Sequence, residues 1–173
     1  MEILRRFTEK GAKPRIYTVE AAEKKVRKGI KETVGLQNGT IVVDFSKVPS
    51  YTDPNSSDMC VAVLTSDGHI GTLSHLQDNA NIAAVADNIL SIHNGATPIC
   101  LAGGSDVMSP SLIANIIETF KMKGFTLSDL PSSNSLGGSL IYRRATLFPD
   151  RVEVDCRPYS GKPEAVNLVF PSK

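Results

Sequence analysis

Tryptophan is absent from the 173 residues, and aromatic residues make up only 6% of the chain. That scarcity leaves little from which to build a base-stacking surface. The net charge of +1 gives no broad electrostatic footprint for nucleic acid or for an anionic membrane. No stretch approaches the ~20 apolar residues needed to cross a bilayer, and the N-terminal Met-Glu-Ile-Leu-Arg-Arg-Phe-Thr-Glu-Lys has no apolar core of the signal-peptide kind. The expectation is therefore a cytoplasmic protein, with no nucleic acid as partner and no membrane insertion. Cysteine is sparse as well. Cys60, Cys100 and Cys156 are spaced too widely for a disulfide framework or a zinc pattern, so neither a metal nor a cofactor is expected. Gly103-Gly104 and Gly137-Gly138 lack the helix and spacing of a phosphate-binding loop, which points to tight turns or close backbone approach instead. There is no internal repeat, low-complexity tract or domain boundary. One domain is expected, with a charged extension over residues 1–35 carrying a helix and a core over residues 40–171.

The strongest local signal runs from Cys60 to His75. Two apolar runs flank Asp67-Gly68, and an Asp-Gly pair in that setting marks a β-hairpin whose turn needs positive φ. With Asp67 and Gly68 as the two loop residues, Ser66 faces His69, Thr65 faces Ile70, Val63 faces Thr72 and Cys60 faces His75. Directly opposed Cβ atoms lie ~4.5–5.5 Å apart, so this register brings a thiol to an imidazole. A slip of one residue would put them on opposite faces. Cys60, Ala62 and Leu64 share one face and Val61, Val63 and Thr65 the other; both are largely apolar, so the sheet is expected to be covered on both sides.

Around this hairpin the chain alternates between the two periodicities. Val19, Ala22, Val26, Ile30 and Val34 predict a helix from Val19 to Val34, capped by Thr18, and Thr40 to Val43 predicts a buried strand. The polar segment 45–58 delivers the chain to Cys60. A second helix is expected over Asn79 to Asn94, ended by Gly95, then a strand over Pro98 to Ala102. Ser109 and Pro110 open a third helix, with Leu112, Ile113, Ile116, Ile117 and Phe120 as its stripe and Gly124 at its end. A short strand is expected within Phe125 to Leu130, a loop over Pro131 to Gly138, antiparallel strands over residues 139–147 and 151–156 around Pro149-Asp150, and a last strand over Ala165 to Phe170. The fold class that follows is α/β, with layered mixed or mainly antiparallel sheets flanked by helices.

The chemistry this allows is that of a cysteine nucleophile. A free thiol titrates near ~8.5, and an adjacent imidazole can hold it as thiolate and then pass a proton to a leaving amine. Attack on an amide also requires N–H donors for the developing oxyanion, which the polar turn before Cys60 is suited to supply. Thr52, Ser56 and Ser57 stand close enough in sequence to orient His75, and a main-chain carbonyl would serve equally well. The bland alternative is a packed Cys60 in the core beside an edge-strand histidine. Cys100 and Cys156, inside strands, are expected to be structural, and His69 and His93 to be solvated.

The segment Cys60-Val61-Ala62-Val63, followed by Gly71 and then His75-Leu76, resembles the chemoreceptor glutamine deamidase (CheD) family, in which a Gly-Ser-Cys-Val-Ala-Val strand runs into a Gly-rich strand ending in His. Ala102-Gly103-Gly104-Ser105 is similar to the family's turn after its next strand, and Ile113-Ala114-Asn115-Ile116 to the start of its following helix. Leu136-Gly137-Gly138 with Arg143 or Arg144 is similar to its Gly-Gly-x-x-x-Arg segment. The resemblance spans residues 40–156 in order. It implies a cysteine amidohydrolase that converts glutamine side chains of a protein substrate, a chemoreceptor or another protein, to glutamate with release of ammonia. Cys60 would be the nucleophile and His75 the general base. The same fold and Cys–His pair occur in toxin domains of the cytotoxic necrotizing factor type. The residues before the nucleophile, Ser57-Asp58-Met59, differ from the family's Leu-Gly-Ser. Where the family has its catalytic threonine this chain has Pro54, so Thr52, Ser56 or Ser57 would take that role. Such a divergent turn suits a toxin-like, host-directed effector or an otherwise diverged member rather than a housekeeping chemotaxis enzyme. The competing expectation is a non-catalytic protein-binding module on the same fold, and either reading leaves room for a regulatory protein partner.

Overall fold

A computed structural model of the chain describes residues 16–19, 39–52, 60–78, 80–93, 95, 97–104, 109–127, 141–158 and 164–170. The described elements run β1 (Ile16–Thr18), β2 (Thr40–Asp44), β3 (Tyr51–Thr52), β4 (Val61–Ser66), β5 (Ile70–Leu76), α1 (Ile82–His93), β6 (Pro98–Gly103), α2 (Pro110–Met122), β7 (Thr126–Leu127), β8 (Ile141–Leu147), β9 (Arg151–Pro158) and β10 (Glu164–Val169). They form a six-stranded sheet in the order β1-β2-β5-β4-β6-β7 and a four-stranded sheet in the order β10-β9-β8-β3. β1 pairs with β2, and β6 with β7, in parallel, while every other pairing is antiparallel. The fold is thus mixed α/β with two sheets.

The alternation of β4 explains the layering. Ala62 and Leu64 join Ile41, Val43, Leu73, Cys100, Ala145, Leu147 and Val152 in one buried cluster between the two sheets. Val61 and Val63 join Val85, Ala86, Ile89, Leu112, Ile116 and Phe120 in a second cluster beneath the helices. All six residues of β4 are buried, as a central strand covered on both faces requires. α1 starts at Asn81, whose Oδ1 accepts the Ala84 N–H at 3.1 Å. Pro110 opens α2, and Ser109 caps it with its carbonyl, which accepts the Ile113 N–H, while its hydroxyl makes no capping bond. The β8–β9 hairpin turns at Pro149-Asp150, closed by the Phe148 N–H on the Arg151 carbonyl at 2.8 Å.

Two differences from the sequence expectations matter. β1 lies inside the segment expected to be a charged extension, yet Ile16 to Thr18 pair with Thr40 to Val42 in the main sheet. Of the helix expected over Val19 to Val34 only Val19 is described; it is helical and buried, and the rest lies outside the described residues. The second difference is the β4–β5 register. The Asp67 N–H donates to the Ile70 carbonyl at 3.1 Å, so the loop residues are Gly68 and His69. Gly68 has φ +95°, in the first loop position where a type II′ turn requires glycine. Asp67 is held at the strand end because its carboxylate accepts the N–H groups of His69 at 2.9 Å and Ile70 at 2.8 Å. His75 therefore faces Ala62 rather than Cys60, Thr72 faces Thr65 and Gly71 faces Ser66.

Candidate active site

Every pairing in the hairpin is displaced by two residues from the expected register, and a shift of two preserves the face. Cys60 and His75 consequently stay on one side of the sheet, the side facing the second sheet, as diagonal neighbours instead of direct partners. Diagonal residues in an antiparallel pair are ~7–8 Å apart, with side chains closer, within reach of an imidazole. Both residues are buried, at 5% and 4% exposure.

One more step of the same register, beyond Val61 and Leu76, brings Gln77 opposite Cys60. Counting outward from the bonded pair Asp67–Ile70, alternate pairs lack mutual backbone hydrogen bonds, and Cys60–Gln77 is one of these. Such pairs have the closer side chains. Gln77 Nε2 accordingly donates to Cys60 Sγ at 3.3 Å. The Cys60 backbone faces the other way, where its carbonyl accepts the Gly104 N–H at 2.8 Å.

Gly103 and Gly104 both have positive φ, +94° and +71°. A Cβ on Gly104 would lie 2.9 Å from Val61 Cγ2 and 3.1 Å from Ile113 Cδ1. The pair thus meets the need for close backbone approach read from the sequence. It brings the end of β6 and the start of α2 against the strand that carries Cys60.

The remaining candidates divide. The Thr52 hydroxyl lies 3.0 Å from that of Thr146 in the second sheet. Ser56 and Ser57 fall in residues 53–59, and Leu136-Gly137-Gly138 in residues 128–140, both outside the described residues. Arg144 and Asn115 are exposed. Cys100 is fully buried between the sheets, as a structural cysteine would be, while the side chain of Cys156 lies outside the described residues.

His69 is exposed in the turn, as expected. His93 is not solvated: it is buried at 8% exposure, with Nε2 3.2 Å from Thr72 Oγ1 and Nδ1 3.4 Å from Asp67 Oδ2. The reason is its position in the last turn of α1, four residues beyond buried Ile89 on the same stripe, a spacing visible in the sequence. Burial pushes the Asp67 carboxyl up, but the N–H groups of Ile70 and His69 and the His93 imidazole outweigh it and leave it below the ordinary carboxylate value.

Gln77 is the site residue that sequence reasoning missed. Its signal was Gly68: reading that glycine as the first loop residue pairs Cys60 with Gln77. No described helix is long and apolar enough to cross a membrane. Comparison with protein-family models, with curated proteins and with solved structures finds no match to this chain.

Proposed function

We propose that this chain is a cysteine-dependent protein-glutamine deamidase, with Cys60 as nucleophile and His75 as general base. The observation that carries the reading is the shared face of Cys60 and His75 on adjacent strands of one hairpin, with the cysteine at the mouth of a central strand. The resemblance to the chemoreceptor deamidase family supplies the reaction class. The Cys60 thiolate adds to the side-chain carbonyl carbon of a substrate glutamine, and the tetrahedral adduct expels ammonia with a proton from the His75 imidazolium, leaving a thioester. Water, deprotonated by His75, then adds to the thioester and releases glutamate and the thiol.

The experiment is incubation of the chain with a chemoreceptor cytoplasmic domain, reading ammonia release and the mass change of NH2 replaced by OH in substrate peptides. Wild type is expected to give both, and His75→Ala to lose at least ~10²-fold in rate. Cys60→Ser should abolish the reaction. Chain cleavage or cross-linking in place of deamidation would assign another thiol-dependent activity. The low exposure of Cys60 favours a second reading, a binding module with a packed thiol. That reading is supported by protein binding that survives Cys60→Ser in a chain that releases no ammonia.

A further inference from the structure

A side chain in contact with the proposed nucleophile is a carboxamide. Gln77 Nε2 donates to Cys60 Sγ at 3.3 Å, across a pair of the close-side-chain type. His75 belongs to the next pair on the same face, where it faces Ala62. A hydrogen bond to the charged form of a group favours that form. An N–H aimed at sulfur therefore favours thiolate over thiol, since a neutral S–H offers the amide only a weak acceptor. Burial alone works in the opposite direction, penalising a thiolate at 5% exposure.

Gln77 is anchored at the end of β5, where its backbone carbonyl accepts the Ala80 N–H at 2.9 Å, and Cys60 is fixed from the other side by the Gly104 N–H on its carbonyl. Sulfur and donor are thus held by three adjacent strands, β5, β4 and β6. With an N–H from Gln77 on the sulfur, the proton-transfer role falls to His75.

We infer that Gln77 is a catalytic residue of this site, holding Cys60 as the reactive thiolate through its side-chain N–H while His75 moves the proton. The inference rests on Cys60 being the nucleophile.

Its test is the rate of iodoacetamide alkylation of the Cys60 peptide against pH, by mass spectrometry, in wild type, Gln77→Ala, Gln77→Glu and His75→Ala. Circular dichroism confirms the fold of each. Wild type is expected to titrate below an ordinary thiol. Gln77→Ala should move the profile up by about one pH unit, roughly a tenfold slower reaction at neutral pH. Gln77→Glu keeps the side-chain length but sets a carboxylate against the sulfur, and should move the profile further up. If Gln77→Ala fails to fold, the Gln77→Glu profile alone decides. An unchanged profile in the Gln77 variants, with a shift in His75→Ala, overturns the role of Gln77 and leaves the deamidase reading standing. An ordinary thiol profile in wild type, unmoved in any variant, overturns both.

Discussion

Gly71 occupies a position with no room for a side chain. A Cβ there would lie 2.7 Å from Leu147 Cδ2 and 2.9 Å from two ring carbons of Phe45. This glycine belongs to β5, and Leu147 to β8 of the opposite sheet, so it sets how closely the two sheets approach. Gly71→Ala should destabilise the chain by about 1–3 kcal/mol through overpacking. Urea unfolding of Gly71→Ala, Leu147→Ala and the double variant measures it. The double variant should lose less than the sum of the single losses, because Leu147→Ala removes one of the clashing atoms. Strict additivity would show that the contact is not the cause. At this scale the sequence was legible in kind but not in reason. Gly71 stood out through the family resemblance, while the atoms it must avoid come from a sheet distant in sequence. Gln77 went unread because a half-buried glutamine at a strand end carries no signal until the register is known.

The β4–β5 hairpin shows at the level of elements why a correct signal gave a wrong register. The Asp-Gly pair located the turn to within one residue. What it did not reveal was the job of Asp67, whose carboxylate receives two turn N–H groups and reaches the buried His93 of α1. The turn and the helix end are thereby tied, with Thr72 of β5 on the other ring nitrogen. Asp67→Ala should cost about 1 kcal/mol, the size of a lost capping interaction.

The pH dependence has a definite sign. The Asp67 carboxyl is lowered from 3.8 in the folded chain. Its contribution is therefore fully present above 3.8 and is lost as pH falls through the lowered folded value. The part of the difference in unfolding free energy between wild type and Asp67→Ala that comes from the carboxylate and the turn N–H groups should shrink as pH falls through the acid range below 3.8. A difference that instead vanishes around pH ~6.5, near the ordinary imidazole value, would show that histidine titration governs the tie. Helices α1 and α2 were the most legible elements, since three- and four-residue apolar spacing is a local property. β1 was the least legible: three residues in a charged segment acquire their strand character only from pairing with β2.

At the scale of the whole molecule, the sheet that carries Cys60 and His75 is a wall between two cores. The apolar character of both faces of β4 was visible in sequence and implied cover on each side. Which strands supply the second sheet was not, because long-range pairing leaves no local trace. The two-core arrangement makes a quantitative demand on neighbouring residues of one strand. Leu64 has no exposure and faces the second sheet, while Val63 has none and faces the helices. Leu64→Ala should cost about 2–5 kcal/mol through lost burial and the cavity left behind. Val63→Ala, removing less, should still cost clearly more than a surface change. Met122, 74% exposed at the end of α2, is the internal control: Met122→Ala should stay within about 0.5 kcal/mol of wild type. Denaturant unfolding of the three variants checks the layering without reference to function. A Val63 or Leu64 variant as mild as Met122→Ala would mean that one face of β4 is open to solvent. In that event the two-core layering that turns the face of Cys60 and His75 toward the second sheet would lose its basis.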